Sequence, residues 1–178
     1  TGGNGFVGRQ IVESLIDSGK NVKLVVRNES IVRPKIKACA EVIYTENLFN
    51  EDFEWWKDVL VGVDVVIHAA WYNQPGKYLQ SERNIDCLNG TVNIARACIS
   101  VNIKKFVGIG TCFEYDLDCG ELSTKTPLIP RSLYAACKVS TYLLLKNLFK
   151  LSDIKFAWCR LFYLYGVGEN KKRLVPYI

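Results

Sequence analysis

Residues 1–8 read TGGNGFVG and place glycines at positions 2, 5 and 8. The first glycine of such a loop makes a tight turn, the second lets the backbone approach a pyrophosphate, and the third lets a helix pack closely. The N–H groups at the start of that helix attract an anion. The stretch therefore predicts a dinucleotide-binding loop, although a glycine-rich turn without a ligand uses the same residues. The candidate cofactor contacts are Gly2, Gly5, Phe6, Val7 and Gly8.

Strand-like and helical patterns alternate along the rest of the chain. The strand-like runs are residues 21–27, 41–44, 64–70, 105–110 and 155–161. The helical patterns cover residues 6–18, 51–60, 81–101 and 131–151. This alternation predicts an α/β fold of the Rossmann type, a doubly wound parallel sheet with helices on both faces. Ligands of such sheets bind beyond the carboxyl ends of the strands.

The domain organisation follows from the same pattern. We assign residues 1–165 to the nucleotide-binding Rossmann domain and residues 166–178 to the start of a substrate-binding region. A first strand normally leads into a glycine loop of this kind. We therefore expect the intact protein to carry a short strand before Thr1 and more of the substrate-binding domain after Ile178.

Composition excludes several classes of function. The chain has 178 residues, enough for one well-buried domain, and no apolar run approaches the roughly 20 residues that span a bilayer. The net charge of +5 is dispersed, which suits an anionic ligand and does not indicate nucleic acid binding. Seven cysteines without a Cys-x-x-Cys pair, beside one histidine, predict no metal site. They predict reduced thiols in a cytoplasmic protein.

Tyr134 and Lys138 form a Tyr-x-x-x-Lys pair in the helical pattern of residues 131–151. Positions i and i+4 share one face of a helix, so both side chains can meet one ligand. A tyrosine with a pKa of about 10 is a poor base near neutrality, and a nearby ammonium lowers that pKa. The pair therefore predicts proton transfer. The alternative is a solvated pair on the helix surface.

Further motifs accompany this pair, and together they resemble those of the extended short-chain dehydrogenases/reductases, the NAD-dependent epimerase/dehydratase family. These motifs are the glycine loop, GTCFEY at residues 110–115, YAACK at residues 134–138 and RLFYLYG at residues 160–166. The resemblance covers essentially the whole chain. It implies oxidation or reduction of a substrate with a nicotinamide cofactor. It also implies that the catalytic residues are Thr111, Tyr134 and Lys138.

The resemblance extends to the cofactor. It places Asn47 and Leu48 beside the adenine, although the family often has Asp at the position of Asn47. Val26 falls where members that prefer NAD carry Asp, and Arg27 can pair with a 2′-phosphate, so we expect NADP(H), with NAD(H) as the alternative. The remaining cofactor-binding residues implied are Ala69 and Ala70 at the pyrophosphate and ribose, Leu161 and Phe162 at the nicotinamide, and Tyr134 and Lys138.

The residues that the resemblance places at the substrate are Trp71, Thr111, Tyr163 and Arg173. Trp71 can equally roof the core. The resemblance implies a nucleotide-activated sugar as the substrate. The sequence at residues 69–79 and 110–115 is similar to that of a bacterial surface-polysaccharide branch of the family, which includes reductases of 4-keto-6-deoxy sugar nucleotides. A homodimer is expected by the same analogy.

The chain also departs from the family pattern. Sugar-nucleotide dehydratases carry an acidic pair directly after the catalytic threonine. In this chain Cys112 and Phe113 occupy those two positions, which argues against dehydration. Glu114 is one residue further along and is expected to point elsewhere. Cys87 replaces a usual asparagine, with Asn84 one turn earlier as its substitute. We therefore expect a nucleotide-sugar reductase. The alternatives are a nucleotide-sugar 4-epimerase and a non-catalytic NADP(H)-binding sensor.

Overall fold

The computed structural model describes residues 1–28 and 30–169. Within these described residues lie five strands: β1 (Val22–Arg27), β2 (Ala40–Thr45), β3 (Val65–His68), β4 (Lys105–Thr111) and β5 (Lys155–Leu161). Five α-helices alternate with them: α1 (Phe6–Asp17), α2 (Pro34–Cys39), α3 (Phe53–Val59), α4 (Arg83–Ser100) and α5 (Leu133–Leu148). Three short 3₁₀ turns cover Tyr78–Gln80, Cys112–Glu114 and Phe149–Leu151. The predicted parallel α/β fold is confirmed.

Alternating side chains of β1 show that helices cover both of its faces. Val25 packs into a cluster that includes Trp56 of α3. Its neighbour Leu24 packs into a second cluster with Val12 of α1 and Ile36 of α2. Successive side chains of a strand point to opposite faces, so α3 lies on one side of β1 and α1 with α2 on the other. The sequence patterns did not predict α2, which is only six residues long and begins at Pro34.

The parallel strands fall into two sheets rather than the single sheet expected. β1 pairs with β2, and β4 pairs with both β3 and β5, all in parallel. Between β1 and β3 lies a slot of about 820 Å³, lined by Val22–Val25, by Val63–Ile67 and by apolar side chains of α1 and α3. β1 and β3 face each other across the slot but are not hydrogen-bonded neighbours, so the two sheets are separate.

Thr1 closes one end of this slot. Its backbone nitrogen donates to the carbonyl of Ile67 at 2.9 Å, and the N–H of Ala69 donates to the carbonyl of Thr1 at 3.2 Å. This is the bonding pattern of a parallel strand pair. The glycine loop therefore starts from a backbone that is paired with the end of β3.

The termini of two helices are fixed by side-chain caps. Asp52 accepts a hydrogen bond from the N–H of Trp55 at the start of α3, and Ser132 accepts one from the N–H of Ala135 at the start of α5. Such caps typically contribute about 1 kcal/mol each. Among the described residues, no helix is both long and apolar enough to cross a membrane.

Candidate active site

In each of the two sheets the carboxyl ends of the strands lie at the same edge, because the strand pairs are parallel. Most of the site residues predicted from the sequence lie in or just after these ends. They are Arg27 at the end of β1, Asn47 and Leu48 after β2, Ala69, Ala70 and Trp71 after β3, Thr111 at the end of β4, Leu161 at the end of β5, and Phe162 and Tyr163 directly after it. Arg173 lies outside the described residues.

The glycine loop is shaped to let backbone approach backbone. Gly2 has a φ of +71°, and a Cβ there would lie 2.5 Å from the backbone nitrogen of Ala70. A Cβ on Gly8 would overlap the carbonyl of Gly2. Gly5 precedes the first turn of α1, where Phe6 and Val7 begin the helix without a side-chain cap or an acidic residue. The first N–H groups of α1 are thus available to an anion, as a bound pyrophosphate requires.

The residues expected at the adenosine half of a dinucleotide differ in exposure. Arg27 is exposed beside the buried Val26. Asn47 is exposed, and its side-chain oxygen accepts a hydrogen bond from the N–H of Phe49 at 3.2 Å, which stabilises the turn after β2. Leu48 is buried in the core. Arg27 is therefore accessible to a ligand, while Leu48 acts mainly by packing.

Tyr134 and Thr111 come together at the end of β4. The two side chains are hydrogen-bonding partners, which lowers the pKa of the phenol, but burial acts in the opposite direction and raises the pKa of Tyr134 to about 12. The sequence-based expectation of a lowered pKa is therefore not met in this structure, since removal of water from the phenol outweighs its favourable partner. Tyr134 keeps its proton at neutral pH.

Lys138 is 4% exposed and lies one helical turn beyond Tyr134. Its ammonium donates to the carbonyl of Ile109 at 2.6 Å and lies 3.7 Å from the centroid of the Trp71 ring. Burial lowers the pKa of Lys138 to about 7, and Glu114 and Cys87 act to raise it. The side chain thus changes its charge close to physiological pH.

Trp71 is held by Asn84, and this changes the role expected for Asn84. The indole N–H of Trp71 donates to the Asn84 side-chain oxygen at 2.8 Å. The Asn84 amide donates to the carbonyls of Tyr78 and Ser81, both at 2.7 Å. Asn84 is fully buried and its amide binds this loop, so it does not substitute for the missing asparagine. Cys87, at the replaced position, accepts from the N–H of Tyr72 at 3.3 Å.

The end of β5 presents exposed aromatic side chains. Phe162 is 50% exposed and Tyr163 is 73% exposed. The Tyr163 ring makes an edge contact with Phe113, with 6.2 Å between the ring centroids. Leu161 pairs with Thr111 in the β4–β5 register, which brings the residues predicted to border a nicotinamide next to the threonine predicted to be catalytic.

His68 does not take part in proton transfer. Its ring nitrogens lie 2.8 Å from the Thr1 hydroxyl and 2.9 Å from the Thr91 hydroxyl. Burial, more than any other cause, lowers the pKa of His68 well below its usual range, so the ring is neutral. The histidine therefore joins the end of β3 to Thr1 and to Thr91 of α4.

Two residues of the site carried no role in the sequence analysis. Tyr78 makes an edge contact with Tyr134, with ring centroids 4.9 Å apart. Glu114 is completely buried and accepts a hydrogen bond from the N–H of Thr111 at 2.8 Å. The pattern Thr-x-x-Glu, a capping-box sequence, was the signal for Glu114, and the 3₁₀ turn after β4 has both bonds of that box.

Known proteins resemble the chain along its whole length. A model of the NAD dependent epimerase/dehydratase family matches residues 1–178. The 3 beta-hydroxysteroid dehydrogenase/Delta 5-->4-isomerase of Vaccinia virus (strain Copenhagen) is 30% identical over 186 residues, covering 96% of this chain and 53% of the viral protein. The dTDP-6-deoxy-L-talose 4-dehydrogenase (NAD(+)) of Aggregatibacter actinomycetemcomitans is 23% identical over 170 residues, covering 93% and 60%.

A solved structure agrees with the fold. The NAD dependent-NDP-hexosamine 5,6-dehydratase TunA, involved in tunicamycin biosynthesis, matches with a TM-score of 0.78 and 24% identity, covering 99% of this chain and 57% of that one. The chain therefore spans little more than half the length of the relatives it matches.

Proposed function

Because the chain belongs to the NAD-dependent epimerase/dehydratase family, we propose that it is a nicotinamide-dependent oxidoreductase acting on a nucleotide-activated sugar. In finer terms, we propose that it reduces a 4-keto-6-deoxy sugar nucleotide. The observation that carries the proposal is the meeting of Tyr134, Thr111 and Lys138 at the strand edge to which the glycine loop is attached through Ala70.

The glycine loop fits a dinucleotide. Gly2 and Gly8 leave no room for a side chain beside the neighbouring backbone, and the uncapped start of α1 offers N–H groups to a pyrophosphate. Gly2, Gly5, Gly8 and Ala70 would hold the phosphates, and Leu161 with Phe162 would border the nicotinamide. When bound, the cofactor supplies or accepts a hydride.

The protein's own contribution to reduction is a proton. A tyrosine whose pKa is raised to about 12 carries its proton at neutral pH, as a donor to a carbonyl oxygen must. Thr111 offers a second hydroxyl beside Tyr134 for the same oxygen. Lys138, in its ammonium form, adds positive charge behind them, where negative charge develops on the oxygen during the reaction.

Two observations support reduction at C4 over dehydration. Dehydration needs groups that remove and return protons, and Cys112 and Phe113 follow Thr111 where such an acidic pair would stand. Burial is the main cause that raises the pKa of Cys112 above its usual value, so this thiol keeps its proton at neutral pH and does not serve as the base that dehydration needs. The Aggregatibacter relative is named for oxidation at C4 of a 6-deoxy sugar nucleotide.

The proposal is tested by supplying the intact protein with NADH or NADPH and a panel of 4-keto-6-deoxy sugar nucleotides. We expect loss of cofactor absorbance at 340 nm and formation of the 4-hydroxy sugar. Interconversion of a 4-hydroxy sugar nucleotide without net cofactor use would establish a 4-epimerase instead. Cofactor binding without turnover of any sugar nucleotide would establish a sensor, and turnover of a 3β-hydroxysteroid with NAD⁺ would move the substrate class to that of the viral relative.

Arg27 is the residue on which the finer cofactor proposal, NADP(H) over NAD(H), rests. Removing its guanidinium takes away a charge-assisted bond to a 2′-phosphate. We expect Arg27→Ala to raise the KM for NADPH by about tenfold and to leave the KM for NADH unchanged. Steady-state kinetics with both cofactors measure this.

Arg33→Ala is the matched control, because Arg33 is an arginine paired at the surface with Glu13 at 2.9 Å. It should change neither KM. A wild-type preference for NADH, or an NADPH preference that survives Arg27→Ala, contradicts the assignment.

We also propose that the protein is a cytoplasmic homodimer. All seven cysteines are unpaired, which suits a reducing compartment. Ile85 on α4 and Leu143 on α5 are 44% and 46% exposed, and such apolar side chains on two packed helices suit a second copy.

A further inference from the structure

A buried carboxylate stands directly behind the predicted catalytic residues. Glu114 is completely buried in the turn after β4. One of its oxygens accepts from the N–H of Thr111 at 2.8 Å. The other accepts from Nε of Arg160 at 2.6 Å, and the indole N–H of Trp158 contacts both oxygens at 3.0 and 3.1 Å. A buried charge with this many donors is a built feature of the fold.

Two glycines of β4 make room for this group. A Cβ on Gly110 would overlap the Glu114 carboxylate and the Trp158 indole, and a Cβ on Gly108 would overlap the Trp158 ring. These glycines let Trp158 lie flat against β4 and direct its N–H at Glu114. The Gly-x-Gly sequence before Thr111 therefore belongs to the carboxylate site.

Arg160, which donates a hydrogen bond to Glu114, is itself held by two aromatic rings. Its guanidinium lies 4.8 Å from the Tyr115 ring centroid and 4.5 Å from that of Tyr142. Its side chain is only 13% exposed. Trp158 and Arg160 thus fix the Glu114 carboxylate on the side away from the site, and its bond to the N–H of Thr111 lies on the side towards the site.

The titratable groups around Lys138 come from every element that packs on it. They are His68 at the end of β3, Cys87 on α4, Tyr134 on α5, and Glu114 with its partner Arg160. His68 is neutral, and the pKa values of Cys87 and Tyr134 are raised to about 11 and about 12, chiefly by burial. Among the residues that the structure describes, Glu114 is therefore the group whose negative charge acts on Lys138 near neutral pH.

We propose that Glu114 is a positioning residue of this site. Its carboxylate fixes the backbone of Thr111 and bonds to the indole N–H of Trp158, and the Lys138 ammonium lies 5.8 Å from the centroid of that same Trp158 ring. The negative charge of Glu114 thus lies on the side of Trp158 that faces the site. The catalytic role of Glu114 rests on the proposed function. The effect of the Glu114 charge on the titration of Lys138 is a property of the protein alone and is measured without a substrate.

Glu114→Gln tests the charge, because glutamine keeps the size of the side chain and an acceptor for the N–H of Thr111. It also leaves Arg160 without a counter-charge, which can destabilise the fold. The double variant Glu114→Gln/Arg160→Met removes both charges and keeps an apolar chain between Tyr115 and Tyr142. Asp118→Asn is the matched control, because Asp118 is a carboxylate paired with an arginine, Arg131, at the surface.

The first readout is the titration of Lys138, followed by NMR of protein labelled with ¹³C at lysine Cε and assigned with Lys138→Met. We expect the midpoint to fall by about one pH unit in both Glu114 variants and to stay in place in Asp118→Asn. The second readout is kcat against pH. The alkaline limb that reports loss of the ammonium should shift by the same amount, so kcat on that limb falls about tenfold with little change in KM.

An unchanged Lys138 titration in both Glu114 variants overturns the inference, whatever happens to stability or turnover. A shifted titration with an unshifted kcat limb overturns its catalytic part. If the wild-type protein turns over no sugar nucleotide, the proposed function fails, and the NMR titration still decides whether Glu114 sets the charge of Lys138.

Discussion

Tyr134→Phe should lower kcat by about 10²–10⁴-fold and leave the Kd for the cofactor within about twofold of wild type. The reason is that phenylalanine keeps the ring that contacts Trp71 and Tyr78 but removes the hydroxyl bonded to Thr111. Turnover of the 4-keto sugar nucleotide gives kcat, and a fluorescence titration with NADH or NADPH gives the Kd.

Tyr44→Phe is the control for this change, because Tyr44 is a half-exposed tyrosine of β2 outside the site. It should retain full turnover. A Tyr134→Phe protein that keeps more than a tenth of the wild-type kcat would show that another group donates the proton, and a lost cofactor affinity would assign Tyr134 to binding.

Lys138→Met should abolish most turnover and at the same time stabilise the fold at pH 6. The buried ammonium of Lys138 has a pKa lowered to about 7 by burial, against 10.5 for an ordinary lysine. Below pH 7 the folded protein must hold a charge that it accommodates poorly. Methionine fills similar space without that charge, at the cost of the bond to the carbonyl of Ile109.

The advantage of methionine should disappear as pH rises. Between pH 7 and 10.5 the unfolded wild-type chain binds more protons at this lysine than the folded protein does. Wild-type stability therefore rises with pH across that window, on the order of 1 kcal/mol per pH unit, while the variant lacks this dependence. Urea unfolding of both proteins at pH 6, 7.5 and 9 measures the difference. A stability difference between the wild type and Lys138→Met that is the same at all three pH values would contradict the lowered pKa of Lys138. The control is Lys146→Met, in the last turn of α5.

The sequence was sufficient for features that depend on local spacing. Alternating strand and helix patterns predicted the parallel α/β fold, and an i, i+4 pair predicted that Tyr134 and Lys138 share a helix face. The position of Thr111 at the end of β4 followed from the apolar run before it. These features depend on neighbours within a few turns of chain, so periodicity reports them.

Features set by distant partners were not predictable in this way. The role of Glu114 depends on Trp158 and Arg160, which are 44 and 46 residues away. Likewise the contact of Trp71 with the Lys138 ammonium and the bond from Trp71 to Asn84 join separate elements of the chain, which no local pattern reports. Side-chain direction at these positions is decided by packing between elements. The separation of the strands into two sheets depends on the distance between β1 and β3, which no local sequence pattern reports.

The pairing of Thr1 with β3 has a thermodynamic consequence for the glycine loop. Thr1 pairs with the end of β3 and leads directly into the turn at Gly2. The same pairing therefore limits the movement of the loop that would receive a pyrophosphate. By reciprocity, a dinucleotide that orders the loop would stabilise the pairing of Thr1 with β3 by the same free energy. The stability of this pairing and the affinity for a dinucleotide would then be linked quantities.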